Sequence, residues 1–395
     1  MPVEEALERL LALAEAAPIK DIESVSLAEA EGRVLATDLV ASLDLPPWPN
    51  SAMDGYALRL ADWQGEPLVV SQRIFAGHAP DALQPGTCAR IFTGAPLPAG
   101  ADCVEMQENT AVLDDGRVRF LEPLKVDQNV RPQGQETRKG EQVMCAGTRL
   151  GPIELGLAAT LGYAEVDVVR RVRVAVLSTG DELVEPGQPL GPGQIYNSNR
   201  RLLVSWLQRL GCEVRDSGIL PDDLARTREC LASLGDVDLI LSTGGVSVGE
   251  ADYLGAALRE AGELALWKLA IKPGKPLTFG HYHGVPVIGL PGNPASTLVT
   301  FGLLTRPYLL RRQGVVEVTP LRFDVPAGFD WPKAGTRREY LRARIDNGQV
   351  RIYKNQSSGV LRSAAWAEGL VEVREGSTPK TGDSVPFIPL SELLG

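Results

Sequence analysis

Val172-Arg173-Val174-Ala175-Val176-Leu177-Ser178-Thr179-Gly180-Asp181-Glu182-Leu183 is the stretch whose reading decides the fold. Its first half is a short apolar, valine-rich run, the pattern of a strand buried on both faces. Its second half breaks into two hydroxyls, a glycine and two carboxylates. Ligands of open parallel sheets gather beyond the carboxyl ends of the strands. Hydroxyls and paired carboxylates there suit a phosphate and a hydrated divalent metal. The plainer alternative is a polar turn with a capping Asp.

Downstream, strand-like and helical runs alternate. Residues 200–210 form an expected helix, capped by Asn199 and closed by Gly211. A strand at 212–215 follows, then a helix to Leu234 capped by Asp222. A strand at 237–241, a helix at 252–261 and strands at 263–270, 276–279 and 285–290 come next. Asn293 caps a last helix with Pro294 in its first turn. This alternation implies right-handed crossovers and a parallel sheet over residues 172–312.

The flanks read differently. Residues 3–16 place Val3, Leu7, Leu10 and Ala14 on one helical stripe, and a short helix over 27–31 is expected to end at Gly32. From Asp44 to Gly140, short β-like runs alternate with Gly and Pro turns. Residues 151–165 are helical again and are expected to return to the N-terminal helices. From 313 the helical period fades, and strands are expected at 338–345, 350–353 and 385–388. The expected architecture is thus multidomain α/β plus β. It has an N-terminal helical linker domain (1–43 plus 141–171), an inserted β domain (44–140), a parallel-sheet α/β domain (172–312) and a C-terminal β-barrel-like domain (313–395).

Composition narrows the function. The formal net charge is −10, which repels nucleic acid and anionic membranes. No apolar run is long enough to span a bilayer, and Met1-Pro2-Val3-Glu4-Glu5 carries no signal-type pattern. The five cysteines form no CxxC pair, as expected of reduced thiols in the cytoplasm.

Three further segments carry chemistry. Ser242-Thr243-Gly244-Gly245-Val246-Ser247-Val248-Gly249-Glu250-Ala251-Asp252 follows a strand, and its glycines let backbone amides approach an anion. Lys268…Lys272-Pro273-Gly274-Lys275-Pro276 concentrates positive charge in an acidic chain. It is not a phosphate loop of the Walker type, because Pro276 stands where Ser or Thr is needed. Leu290-Pro291-Gly292-Asn293-Pro294 is a rigid turn opening a helix. His281 and His283 alternate, but a surface hairpin explains them better than half a metal site. Only His78 remains besides these two, so a nucleophilic triad is not expected.

Taken with Pro49-Asn50-Ser51-Ala52-Met53-Asp54-Gly55-Tyr56-Ala57 and Ile91-Phe92-Thr93-Gly94-Ala95-Pro96-Leu97-Pro98, these segments resemble the molybdopterin molybdenumtransferases, the family of bacterial MoeA proteins and the gephyrin E domain. Six motifs stand in the same order along nearly the whole chain. The resemblance implies an elongated four-domain homodimer whose α/β domain is MogA-like, with a cleft completed by the partner subunit. It also implies insertion of molybdate into adenylylated molybdopterin with Mg²⁺ and release of AMP.

Carried over by motif, Asp54, Thr93, Glu182, Asp222, Asp252, Lys268 and Lys272 are implied in catalysis, with Glu182, Asp222 and Asp252 implied at the metal. Ser178, Gly180, Asp181, Gly244, Gly245, Ser247, Gly249, Lys275, Pro291, Pro294, Arg131, Arg337, Arg342, Ser357 and Ser358 are implied in binding substrate, and Glu136 in the segment after Arg131. Gln356-Ser357-Ser358-Gly359 departs from the family's Gln-Gly-Ser-His, and the segment 131–136 departs from a more charged run. Alternatives are an adenylyltransferase acting on the same pterin, a non-enzymatic scaffold, a pterin-binding sensor, and tungstate in place of molybdate. Other cofactor-biosynthesis proteins are possible partners.

Overall fold

The computed structural model describes residues 1–244 and 253–395. Contacts divide the chain into two compact units. Met1–Ala36, Ala146–Pro152 and Glu165–Gly395 form the first, and Thr37–Cys145 with Ile153–Ala164 form the second.

The first unit is built round a six-stranded sheet of β1 (Arg173–Thr179), β2 (Glu213–Leu220), β3 (Leu239–Thr243), β4 (Gly262–Lys268), β5 (Pro276–Tyr282) and β6 (Val285–Leu290). Their spatial order is β2-β1-β3-β6-β5-β4. The strands β2, β1, β3 and β6 are parallel, as the alternating pattern predicts. Both β5 and β4 run antiparallel to their neighbours. The cause is local. His283 and Gly284, with φ of 48° and 87°, make a two-residue turn that joins β5 directly to β6. A parallel return needs a crossover of about a dozen residues. His283 therefore sits in the turn and shares no strand face with His281.

Strand residues alternate between two cores. Val174 and Val176 face one core with Leu203, Trp206, Leu207 and Leu10. Ala175 and Leu177 face the other with Leu231, Leu254 and Leu258. A strand buried on both faces needs this near-continuous apolar run. From β1 the chain moves to β2 on one side and then returns to β3 on the other. The carboxyl ends of β1 and β3 therefore form the switch point, where crevices open in such sheets.

Caps differ by one or two residues from the expectation, and this changes what the side chains do. The helix Ser198–Arg209 is capped by Asn197, whose side chain accepts from the Arg200 N–H. Asn199 lies inside the first turn instead, buried and turned toward the sheet. The helix Leu224–Ala232 is capped by Asp223, which accepts from the Arg226 N–H, so Asp222 is not its cap. Residues 27–31 form turns rather than a helix. Five residues cannot offset the cost of helix nucleation, and the strand Ile22–Ser26 beside them pairs with Glu165–Val169.

Residues 323–389 supply a second sheet, in the order Ile271–Lys272, Arg338–Asp346, Gly369–Val373, Ser384–Pro389, Phe323–Pro326, with Gln349–Ile352 paired to Arg338–Asp346. Its first strand comes from the α/β segment, where Ile271–Lys272 pairs in parallel with Arg338 and Glu339.

The second unit carries a four-stranded sheet of Val69–Ile74, Thr87–Ile91, Gly55–Leu58 and Cys103–Met106. All but the first residue of the helix Pro152–Thr160 falls with this unit and not with the N-terminal helix. The Tyr163 hydroxyl donates to the Val40 carbonyl at 2.6 Å and Ser42 Oγ to the Leu161 carbonyl at 2.5 Å. Gly55 admits no side chain, because a Cβ would lie 1.9 Å from the Glu105 carbonyl oxygen on the adjoining strand.

Trp206 ties the first unit together. It is 1% exposed, its ring centroid lies 4.5 Å from that of Phe301, and its Nε1–H donates to the Leu393 carbonyl at 2.7 Å. Trp206→Ala should cost about 3–5 kcal/mol of stability in denaturant titration. Trp206→Phe, which keeps most of the packing but orphans the Leu393 carbonyl, should cost about 1–3 kcal/mol.

Candidate functional site

Two cavities open at the switch point of the first unit. One, of about 540 Å³, is lined by Gly244, Lys272, Pro273, Gly274, Lys275, Pro276, Pro291, Gly292, Asn293, Ser296, Arg337, Gln356, Ser357 and Ser358. The other, of about 530 Å³, is lined by Thr179, Glu182, Leu183, Ile195, Tyr196, Asn197, Ser198, Asn199, Thr243, Gly244, Gly292, Asn293, Pro294 and Gly359. Gly244, Gly292 and Asn293 belong to both, so the two share a wall.

The first cavity is cationic. Its lining holds Lys272 and Lys275 from one loop and Arg337 from another. The pairing of Ile271–Lys272 with Arg338–Glu339 sets Lys272 beside the start of the C-terminal sheet. Arg337 Nη1 donates to the Ile271 carbonyl at 3.3 Å, and Lys272 Nζ lies 3.0 Å from Glu339 Oε2. Glu339 thus holds the lysine in place while neutralising part of its charge. A small oxyanion entering here would meet three positive groups in place of water.

Ser357 and Ser358 line this cavity despite the departure of their segment from the family pattern. Arg342 does not line it. Its guanidinium is 1% exposed and donates to Ser363 Oγ, the Tyr340 carbonyl and the Ser357 carbonyl, and burial lowers its pKa to about 10. Arg342 therefore buttresses the serine loop from behind. Gln356 completes the brace, accepting from the Arg342 N–H at 2.9 Å and donating to the Arg342 carbonyl at 2.9 Å. Lys268 is exposed at the end of β4 and lines neither cavity.

Three carboxylates stand near one another beside the second cavity. Glu182 lines it, and the Asp222 N–H donates to Asp181 Oδ1 at 3.1 Å. Asp222 has a raised pKa, first because it is partly desolvated and then because Asp181 and Glu182 are near. Gly180, at φ 139°, leaves room for the Glu182 carboxylate, which a Cβ there would meet at 2.3 Å. Such a cluster repels itself and suits a divalent cation. Among the described residues, however, no three His, Cys, Asp or Glu side chains are gathered at metal-ligand spacing. The donor set fits a cation that keeps part of its water shell. Asp252, Gly245, Ser247 and Gly249 lie outside the described residues.

Ser178 and Thr179 end β1 with sealed hydroxyls that have no protein partner among the described residues. Gly244 packs against this strand so tightly that a Cβ would lie 2.8 Å from the Thr179 carbonyl. Pro291 and Pro294 frame the neighbouring turn. The Thr297 hydroxyl donates to the Pro291 carbonyl at 2.6 Å, and the Ala295 N–H donates to the Ser358 carbonyl at 2.9 Å. The side chain of Asn199 was not foreseen at the site. Its only signal in the sequence is its place in Asn197-Ser198-Asn199, where either asparagine reads as a cap.

Asp54, Thr93 and Arg131 lie in the second unit. The Ser51 N–H donates to the Ala95 carbonyl at 3.0 Å and the Gly94 N–H to the Ser51 carbonyl at 2.8 Å. This backbone exchange sets Asp54 opposite Thr93. Asp54 Oδ1 accepts from both the Thr93 N–H and its hydroxyl at 2.8 Å. These bonds, the backbone one first, hold the exposed Asp54 carboxyl below its usual range. Arg131 is paired with Asn50 across two short strands. Glu136 donates its N–H to the Leu45 carbonyl at 2.8 Å.

Desolvation pushes the Cys88, Cys103 and Cys212 thiols up to about 12, so they stay protonated.

Residues 1–162 match the MoeA N-terminal region (domain I and II), residues 175–311 the probable molybdopterin binding domain, and residues 324–390 the MoeA C-terminal region (domain IV). A molybdopterin molybdenumtransferase of Haemophilus influenzae is 40% identical over 383 residues, covering 94% of this chain and 95% of the relative. One from Staphylococcus aureus is 33% identical over 402 residues, covering 98% and 95%. A crystal structure of the molybdopterin biosynthesis MoeA protein from Pyrococcus horikoshii superposes with a TM-score of 0.84 at 30% identity, covering 98% of this chain and 99% of that one. With all three regions matched in order and the identity extending along the whole length, this chain belongs to the molybdopterin molybdenumtransferase family.

Proposed function

We propose that this protein inserts molybdate into adenylylated molybdopterin in molybdenum cofactor biosynthesis, releasing AMP. The observation that carries the reading is the pair of cavities sharing one wall. One pocket lined by three cations stands against another of nearly the same volume lined by Glu182. Molybdate is a dianion and the pterin nucleotide is a polyanion. At close range they repel by several kcal/mol unless cations intervene. Lys272, Lys275 and Arg337 hold the oxyanion, with Ser357 and Ser358 beside them. The nucleotide lies along the second cavity with its pyrophosphate toward Glu182 and Asp222.

Glu182 and Asp222, with Asp252, would hold a hydrated Mg²⁺, which when bound offsets the charge that develops as the phosphoanhydride opens. The dithiolene sulfurs of the substrate take the molybdenum. Asp54 and Thr93 position substrate or water in a cleft completed by a second copy of the chain in a homodimer. Lys268, at the end of β4, adds positive charge to the same basic segment. We place the protein in the cytoplasm, which the dispersed free thiols support.

Reconstitution with adenylylated molybdopterin, MgCl₂ and sodium molybdate, following AMP release, tests the reading. Glu182→Ala should abolish Mg²⁺-dependent AMP release while the circular dichroism and melting point stay those of the parent. Full turnover in that variant would remove Glu182 from the site. Lys272→Ala should raise the molybdate concentration for half-maximal rate by about 10- to 100-fold, the worth of a charge-assisted hydrogen bond. An unchanged molybdate dependence would exclude Lys272. Replacing molybdate by tungstate in the same assay measures the choice between the two oxyanions.

A further inference from the structure

Asn199 is buried, 7% exposed, on the first turn of the helix Ser198–Arg209. Its Nδ2 donates twice, to Thr243 Oγ1 at 2.9 Å and to the Gly292 carbonyl at 2.6 Å. Thr243 is the last residue of β3, and the next residue is Gly244. Gly292 lies in the turn after β6. The backbones of the two segments already meet where Thr243 pairs with Leu290 and the Gly244 N–H donates to the Leu290 carbonyl at 3.3 Å; the Asn199 amide carries that link past the end of the ladder to Gly292, on the wall common to both cavities. Beyond the ladder the wall itself is thin. A Cβ built on Gly292 would have the Gly244 Cα 3.8 Å away as its nearest neighbour. Neither glycine offers a side chain to lock the other. A helix cap would not need this geometry, because Asn197 already performs the capping.

We propose that Asn199 is a positioning residue that fixes the shared wall, so that the oxyanion cavity and the nucleotide cavity are set in register by one side chain. The inference rests on the function proposed above. It assigns no contact between Asn199 and the reacting atoms. It predicts a signature that neither a fold defect nor a single-site contact produces. Loosening the clip disturbs both ligands together. Altering a lysine disturbs molybdate alone.

The test uses the full-length protein in the AMP-release assay, with molybdate and adenylylated molybdopterin varied separately. Asn199→Asp keeps the shape but places an oxygen against the Gly292 carbonyl. It should raise the half-saturating concentrations of molybdate and of nucleotide together, each by about tenfold, with a smaller change in the maximal rate. Thr243→Val removes one acceptor and should shift both in the same direction. Thr243→Ser keeps the acceptor and should restore most of that loss. Asn199→Ala combined with Thr243→Val should be no worse than Asn199→Ala alone, because both remove the same bond.

A shift confined to one ligand, or fully additive losses in the double variant, would overturn the proposal. So would Asn199→Asp with parent-like dependence on both. Should Asn199→Asp fail to fold, the Thr243→Val and Thr243→Ser pair decides the matter alone. Absence of AMP release from the parent protein would instead count against the proposed function, so the two failures are distinguishable.

Discussion

A two-residue strand carries much of the architecture. Ile271–Lys272 leaves the α/β sheet and adds to the edge of the C-terminal sheet beside Arg338 and Glu339. Through that pairing the cationic loop, the arginine before the strand and the serine loop that Arg342 braces converge on one cavity. Backbone pairing sets the direction of neighbouring side chains, which flexible lysines cannot do for themselves. The Glu339 carboxylate refines this by holding Lys272 at 3.0 Å. The electrostatics of the site therefore follow from the register of a sheet.

Much of this was legible in the chain. The valine-rich run ending at Ser178 and the alternation after it imply a parallel sheet, and β1, β2, β3 and β6 form one. The acid loop, the lysine loop and the proline turn lie at its carboxyl end, where strand order predicts a ligand. The antiparallel end was missed because a two-residue His-Gly turn has the same sequence texture as an ordinary loop break. Caps differ from the expectation by two residues at Asn197/Asn199 and by one at Asp222/Asp223. Either member of each pair satisfies the same local rule, and only packing against the sheet chooses between them.

Functional side chains divide along the same line. Lys272, Lys275, Arg337, Ser357 and Ser358 meet in space as their motifs suggest. Arg342 reads as a ligand contact by its charge and place in the family pattern. Yet its guanidinium is spent on protein acceptors, and burial disfavours its charged form. Charge alone cannot separate a cation that faces a ligand from one that holds the loop that does. Conversely, Asn199 and Glu339 carry no motif of their own. Their roles exist only through what they tie together, which spacing along one chain does not encode.

The bond from Trp206 to the Leu393 carbonyl links the clip at the sheet to the far end of the sequence. Trp206 and Asn199 ride on the same helix, and Arg149 and Arg209 donate around the same end. Loss of the contacts made by residues 390–395 would remove no group that lines either cavity. It would withdraw the support beneath the helix that registers both cavities. Substitutions around Leu393 would then present as loss of enzyme function with the catalytic motifs intact.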